Sequence, residues 1–156
     1  MSEKKINADN FEVDNKKEAS YRRLVNPEVM DELKDKILQQ LVVHKRYRDR
    51  SYTARQLAED LNTNTRYISA AIRVQFHTNY TALVNKMRVE EAMSKLADSR
   101  YADLSVEEIG ELAGFAHRQS FHTAFMRFAG TTPKAYRTQF DLDAGQSKKS
   151  NKKKQQ

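Results

Sequence analysis

The chain has 156 residues, enough for one ordinary domain or two very small ones. It contains no cysteine, which excludes disulfides, thiolate metal sites and cysteine nucleophiles, and no apolar run approaches the roughly 18 residues of a membrane helix. Only four glycines and two prolines accompany 38% hydrophobic residues, a balance that favours an all-α protein. Without cysteine, a membrane-length apolar run or a signal-peptide core, the chain is expected in the cytoplasm. The net charge is +7 and its basic residues are clustered, as in Lys45-Arg46-Tyr47-Arg48, which indicates a cationic face for a polyanion.

The chain begins with a polar segment, residues 1–26, whose few apolar residues follow no period, so we predict a flexible N-terminal arm. Asn26 and Pro27 then form an N-cap followed by a favoured first helical residue. Apolar residues recur at helical spacing from there, which predicts a helix from about Pro27 to His44.

The first subdomain is predicted over residues 27–79 and contains two further, shorter helices. Thr53 and Gln56 fit a capping box at the start of the second helix, and Asn64 suits the cap of the third. Two short helices joined by a tight turn are the helix-turn-helix layout.

A longer amphipathic segment, residues 80–99, predicts a connecting helix, and about 18 helical residues would span roughly 27 Å. The second subdomain is predicted over residues 100–139, with a capping box from Ser105 to Glu108 and a helix stop at Gly114. Residues 140–156 are rich in lysine and are predicted to form a disordered basic tail.

The two predicted subdomains match each other at a nearly constant offset. Leu57-Ala58-Glu59 aligns with Ile109-Gly110-Glu111 at an offset of 52, and Ile68 aligns with Phe121 at an offset of 53. The pattern indicates an internal duplication of one helix-turn-helix unit, giving about seven helices in all.

The second half contains a specific series of residues: Gly114-Phe115, Ser120-Phe121, Phe125, Gly130, Thr132-Pro133 and Tyr136-Arg137. This series resembles the C-terminal signature of the AraC/XylS family of bacterial transcription regulators. The resemblance covers roughly residues 50–139. The stretches Asn64-Thr65-Arg66-Tyr67-Ile68-Ser69, Asn79-Tyr80 and Leu83-Val84-Asn85 are similar to small stand-alone regulators of Bacteroides-related gut anaerobes. The chain departs from the family pattern at His77 and Gly110, where glycine and alanine are usual, and at His117, which replaces a serine or aspartate cap.

The family resemblance implies double-stranded DNA as the partner and two recognition helices that each enter a major groove. Two inward-facing sets are predicted, Ile68 and Ile72 in the first unit and Phe121, Phe125 and Phe128 in the second. Polar residues on the opposite helix faces then point outward. The residues predicted to read bases are Arg66, Ser69, Ala70 and Arg73 in the first unit, and Arg118, Gln119, His122 and Thr123 in the second.

Other polar residues lie at predicted helix starts, where free amides and the helix dipole attract phosphate. The residues predicted to contact DNA phosphates are Asn64, Thr65, Ser105, Ser120 and Lys134. RNA polymerase or a regulatory protein is the expected protein partner of such a regulator.

Two other classes of protein stay open on the sequence alone, namely a helical protein-interaction adaptor and a nonspecific nucleoid-associated protein. An enzyme is not expected, because no nucleophile, base and acid occur in a catalytic pattern. No metal or cofactor is expected, since the four histidines are scattered. No small-molecule ligand is expected either, because the roughly 26 residues before the first helix are too few for a separate ligand-sensing domain.

Overall fold

The computed structural model describes residues 26–141, so the predicted basic tail and the arm, except for their residues nearest the fold, lie outside the described residues. Within that range the structure has seven α-helices and no strand, which confirms the all-α prediction. None of these helices combines the length and the apolar character needed to cross a membrane. The helices are α1 Pro27–Leu38, α2 Ala54–Asp60, α3 Thr65–Phe76, α4 Tyr80–Leu96, α5 Val106–Ala113, α6 Arg118–Ala129 and α7, residues 133–141.

Local capping sets most of the helix starts. The Asn26 side chain accepts a hydrogen bond from the Glu28 amide at 3.0 Å, and Pro27 occupies the first turn of α1. Both predicted capping boxes are present, at the starts of α2 and α5. Asn64 caps α3 by accepting from the Tyr67 amide at 3.0 Å. These starts therefore follow from residues within one turn of each other.

Left-handed residues end three of the helices. His77 closes α3 at φ 55° and ψ 34°, Gly114 closes α5 at φ 110°, and Gly130 closes α6 at φ 72°. The histidine adopts the backbone geometry that glycine usually supplies. At the end of α1 the chain instead widens into one π-helical turn, Gln39–Val43.

The described residues pack as two compact units, and the first comprises residues 26–44 and 52–83. Helices α1 and α2 both pack against α3 in this unit. A hydrogen bond of 3.0 Å from the side-chain amide of Gln75 to the Asp31 carboxylate links α3 to α1. The largest fully buried side chains in the first unit are Ile37, Leu41, Leu57, Ile68 and Ile72.

The second unit comprises residues 45–51 and 84–141, and its core is largely aromatic. The ring centroids of Phe115 and Phe121 lie 5.0 Å apart, and those of Phe121 and Phe125 lie 5.7 Å apart. Tyr136 of α7 extends the series, 5.6 Å from Phe125. These rings hold α5, α6 and α7 in one cluster, with Val89, Ala92 and Leu96 of α4 in the same core.

Residues 45–51, which the sequence assigns to the first subdomain, pack with the second unit. Arg88 of α4 holds this loop by its backbone. Its guanidinium donates to the Tyr47 carbonyl at 2.5 Å and to the Asp49 carbonyl at 3.2 Å. Such contacts connect residues about forty positions apart, which local sequence patterns do not reveal.

A carboxylate on α4 secures the side chains of the same loop. Glu91, with its side chain only 8% exposed, accepts hydrogen bonds from both Arg48 Nε, at 2.8 Å, and Arg48 Nη2. Lys95 Nζ lies 3.4 Å from the same carboxylate. Burial raises the pKa of Glu91, but hydrogen bonds from Arg48 and Tyr47 and the neighbouring positive charges outweigh burial and hold the pKa below its ordinary value.

Candidate nucleic-acid interface

Helix α6 presents one polar face to solvent and one aromatic face to the core. Phe121 and Phe125 are buried, at 3% and 0% exposure, and fix the rotation of the helix about its axis. The side chains that this rotation leaves exposed include all four predicted base-reading residues of the second unit: Arg118, Gln119, His122 and Thr123. The structure therefore places them together at the N-terminal half of a single helix.

Arg118 occupies the first helical position of α6, and its cap residue His117 makes no side-chain capping bond. The Arg118 side chain is 80% exposed, and its Nε lies 3.4 Å from Oε1 of Glu107 on α5. Glu107 is 48% exposed and was not among the residues predicted for the site. Because the two residues are eleven positions apart on different helices, no local pattern indicates this ion pair.

In the first unit, α3 exposes only part of the predicted set. Arg66 and Ser69 are exposed, and Arg73 is partly buried. The prediction that Ala70 points outward is wrong, because its side chain is only 1% exposed. Helix α3 packs against both α1 and α2, so more of its circumference is covered than Ile68 and Ile72 alone indicate.

The predicted phosphate contacts, Asn64, Thr65, Ser105, Ser120 and Lys134, are all exposed. At the start of α7, Thr132 Oγ1 accepts from the Ala135 amide at 3.1 Å, one residue beyond Lys134. The start of α5 differs, because the Glu108 carboxylate already accepts from the Ser105 amide at 2.7 Å. That carboxylate occupies the position that an anion would otherwise take.

An open cleft of about 680 Å³ lies between α5, α6 and α7 in the second unit. Its lining includes apolar Val106, Phe121 and Pro133 and charged Glu107, Arg118 and Lys134. Three of the predicted DNA contacts, Arg118, His122 and Lys134, thus line one concave surface.

No group of three or more histidine and acidic side chains that could hold a metal occurs in the range 26–141.

Tyr67 is a further exposed residue that the outward pattern did not include. It follows Arg66 in the first turn of α3 and is 37% exposed. An aromatic residue in an apolar-periodic helix is assigned to the core by default, so the pattern gave no signal for its exposure.

A family profile described as a helix-turn-helix domain matches residues 57–139, from within α2 to α7. The chain belongs to the AraC/XylS family. This confirms the resemblance seen in the aromatic signature of the second half. The AraC/XylS domain is a DNA-binding domain of transcription regulators, and the fold described above is the one expected for it.

Individual relatives agree with the family assignment. Over 85 residues the chain is 29% identical to the raffinose operon transcriptional regulatory protein RafR of Pediococcus pentosaceus, a match that covers 54% of this chain and 30% of RafR. The chain therefore spans less than a third of that relative.

Two solved structures of C-terminal domains of response regulators are similar as well. The C-terminal domain of the two-component response regulator YesN from Fusobacterium nucleatum has a TM-score of 0.57 and 29% identity, covering 67% of this chain and 98% of that domain. The C-terminal domain of AraT, a response regulator from Geobacillus stearothermophilus, has a TM-score of 0.56 and 29% identity, covering 61% and 76%.

Proposed function

We propose that this chain is a sequence-specific double-stranded DNA-binding transcription regulator that reads two major-groove segments, one with α3 and one with α6. The observation that carries the proposal is the polar face of α6, where four hydrogen-bonding side chains lie exposed on a helix held by buried phenylalanines. A major groove admits one α-helix, and a rigid helix keeps its side chains in register with base edges.

In α6, Arg118 suits guanine and Gln119 suits adenine, because each side chain can form a bidentate pair with the base edge. Each such pair contributes about 1–3 kcal/mol of discrimination. In α3, Arg66 is the corresponding exposed arginine, with Ser69 one turn further along. The proposed DNA site has two short base-pair elements, called boxes here, one for each recognition helix. Two boxes are proposed because the chain carries two copies of the unit, each with an exposed arginine near the start of its second helix.

Phosphate contacts in the proposal come from the exposed residues Asn64, Thr65, Ser120 and Lys134. Asn64 uses its side-chain oxygen to cap α3, so the side-chain NH2 group can donate to a phosphate. Ser105 is left out, because Glu107 and Glu108 place two carboxylates in the first turn beside it. An anion at that helix start would meet like charge rather than free amides.

The test is a selection from a random duplex library with the full chain at about 150 mM salt, where nonspecific attraction to phosphate is weakened. The expected result is a consensus with two boxes. A selection that returns no consensus would contradict the proposal. Strong binding that falls steeply with salt and has no consensus would instead indicate a nonspecific nucleoid-associated protein.

Two arginine variants assign the boxes. Arg118→Ala is expected to erase one box and Arg66→Ala the other, while folding measured by circular dichroism stays unchanged. Matched controls remove the same charge elsewhere: Arg127→Ala near the end of α6 and Arg55→Ala on α2. If all four variants fold and bind DNA like the wild type, base reading by Arg66 and Arg118 is refuted and the protein-interaction adaptor is favoured instead.

A further inference from the structure

Arg118 lies at an electrostatically unfavourable end of its helix. The N-terminus of a helix carries a partial positive charge, which repels a cation in the first turn. Arg118 is the first residue of α6, and His117 provides no capping side chain to offset that charge. Within residues 26–141, the carboxylate that contacts the guanidinium is that of Glu107, at 3.4 Å.

Glu107 is not required for the start of its own helix. The capping box of α5 uses Glu108, whose carboxylate accepts from the Ser105 amide at 2.7 Å while Ser105 Oγ accepts from the Glu108 amide at 3.1 Å. The Glu107 carboxylate is thus available for Arg118. On a surface meant for DNA, however, a carboxylate weakens the attraction to phosphate.

The geometry of the pair indicates what the carboxylate does. Glu107 contacts Nε of Arg118, at the inner side of the planar guanidinium. The two terminal Nη nitrogens form the outer edge of the fork, and this edge can donate to both O6 and N7 of a guanine. A carboxylate beside Nε therefore attracts the guanidinium by its charge, while the Arg118 side chain stays 80% exposed and its outer edge remains open to a base.

We infer that Glu107 is a specificity-determining positioning residue that holds Arg118 ready for a guanine before DNA binds. The inference rests on the proposed function, since it assigns a role within base reading by α6. Glu107 orders the long, exposed side chain of Arg118, but its negative charge also lowers the general affinity of the domain for DNA. Removing its charge is therefore expected to change affinity and selectivity in opposite directions.

The test compares Glu107→Gln with Glu111→Gln, which removes an exposed charge one turn further along α5. Each variant is assayed with the selected site, with a site changed at the Arg118-dependent base pair, and with random duplex. Glu107→Gln is expected to bind random duplex more tightly, yet to lose about two- to fivefold of its discrimination at that base pair, the range for an exposed ion pair. Glu111→Gln is expected to retain its discrimination.

The Arg118→Ala background separates positioning from direct contact. If Glu107 acts through Arg118, Glu107→Gln has no further effect on discrimination in that background. An equal loss of discrimination with and without Arg118 would overturn the inference, as would unchanged discrimination in a well-folded Glu107→Gln variant. Failure of the wild type to select any consensus would refute the proposed function itself, a result that is separate from either of these.

Discussion

The backbone of Gly110 in α5 lies directly against the ring of Phe121 in α6. A Cβ atom at Gly110 would lie 2.5 Å from Cδ1 and 2.8 Å from Cε1 of that ring. Phe121 is 3% exposed and packs against Phe115, so its ring has little room to move. The absence of a side chain at Gly110 thus permits the close approach of the two helices, although glycine inside a helix lowers stability by up to about 1 kcal/mol.

Gly110→Ala is expected to destabilise the second unit by about 1–3 kcal/mol, because overpacking outweighs the gain in helix propensity. Denaturant unfolding followed by circular dichroism measures the change. The double variant with Phe121→Leu, which removes ring atoms, is expected to lose less stability than the sum of the two single variants. Additive losses would show that the contact does not set the effect.

Gly114→Ala is expected to cost considerably more than Gly130→Ala, although both glycines have positive φ. A Cβ at Gly114 would lie 2.6 Å from the Tyr47 carbonyl oxygen, whereas nothing lies within 4 Å of one at Gly130. Left-handed geometry alone costs about 1–2 kcal/mol for alanine, and Gly114 adds a backbone collision. Equal shifts in the unfolding midpoint of the two variants would contradict the close approach of the Tyr47 loop.

Because of Glu91, the free energy of unfolding is expected to fall as the pH is lowered into the acid range. Because its pKa is lowered in the folded state, its contribution is complete above the ordinary carboxyl pKa of about 4.3 and is lost as pH falls through the folded value. Glu91→Gln is expected to lose about 2 kcal/mol at pH 7. The difference from wild type should shrink below about pH 4.

Glu90, the exposed neighbour of Glu91, provides the control for this measurement. Glu90→Gln removes the same charge from the same helix at an exposed position. Its stability relative to wild type is expected to change little at any pH. A difference between wild type and Glu91→Gln that stays constant from pH 7 to pH 3 would exclude the proposed role of the carboxylate.

His77→Gly is expected to stabilise the first unit by about 0.5–1 kcal/mol, since glycine adopts the left-handed cap of α3 without the strain of a side chain. Asn62→Gly is the comparison, because Asn62 has nearly the same φ, 52° against 55°. Asparagine tolerates this region better than histidine, so its replacement should gain less. Calorimetry checks the order, and a lower melting temperature for His77→Gly would be the opposite result.

Lys134→Ala is expected to weaken binding to all duplexes by a similar factor and to reduce the slope of affinity against salt by about one, while the selected consensus stays the same. A phosphate contact carries no base information, which is why the consensus is unaffected. Lys36→Ala on α1 removes the same charge outside the proposed interface. A changed consensus for Lys134→Ala would assign this lysine to base reading instead.

Helix boundaries and caps were predictable because they depend on neighbours within one turn. The oxygen of Asn64 and the amide it caps are three residues apart, and the Ser105 capping box closes over the same distance. Gly114 was predictable as a stop because a left-handed residue needs glycine or a substitute. The burial of Phe121 and Phe125 within α6 likewise follows from helical spacing.

Features that depend on packing between helices were not predictable. Ala70 lies opposite Ile68 on the helix surface, and only the presence of both α1 and α2 around α3 explains why it is buried. The contact between Glu107 and Arg118 depends on the crossing of α5 and α6. The loop at residues 45–51 was grouped by its place in the chain rather than by the unit that it contacts.

The loop at residues 45–51 limits how helix-turn-helix units can be exchanged among relatives. The chain passes from the first unit to the second at residue 45, returns at residue 52, and leaves again within α4. A fragment beginning at residue 80 would lack the carbonyl and guanidinium groups that Arg88 and Glu91 hold. The two halves of the sequence duplication are thus not interchangeable cassettes, and a chimera that transplants the C-terminal half must carry residues 45–51 with it.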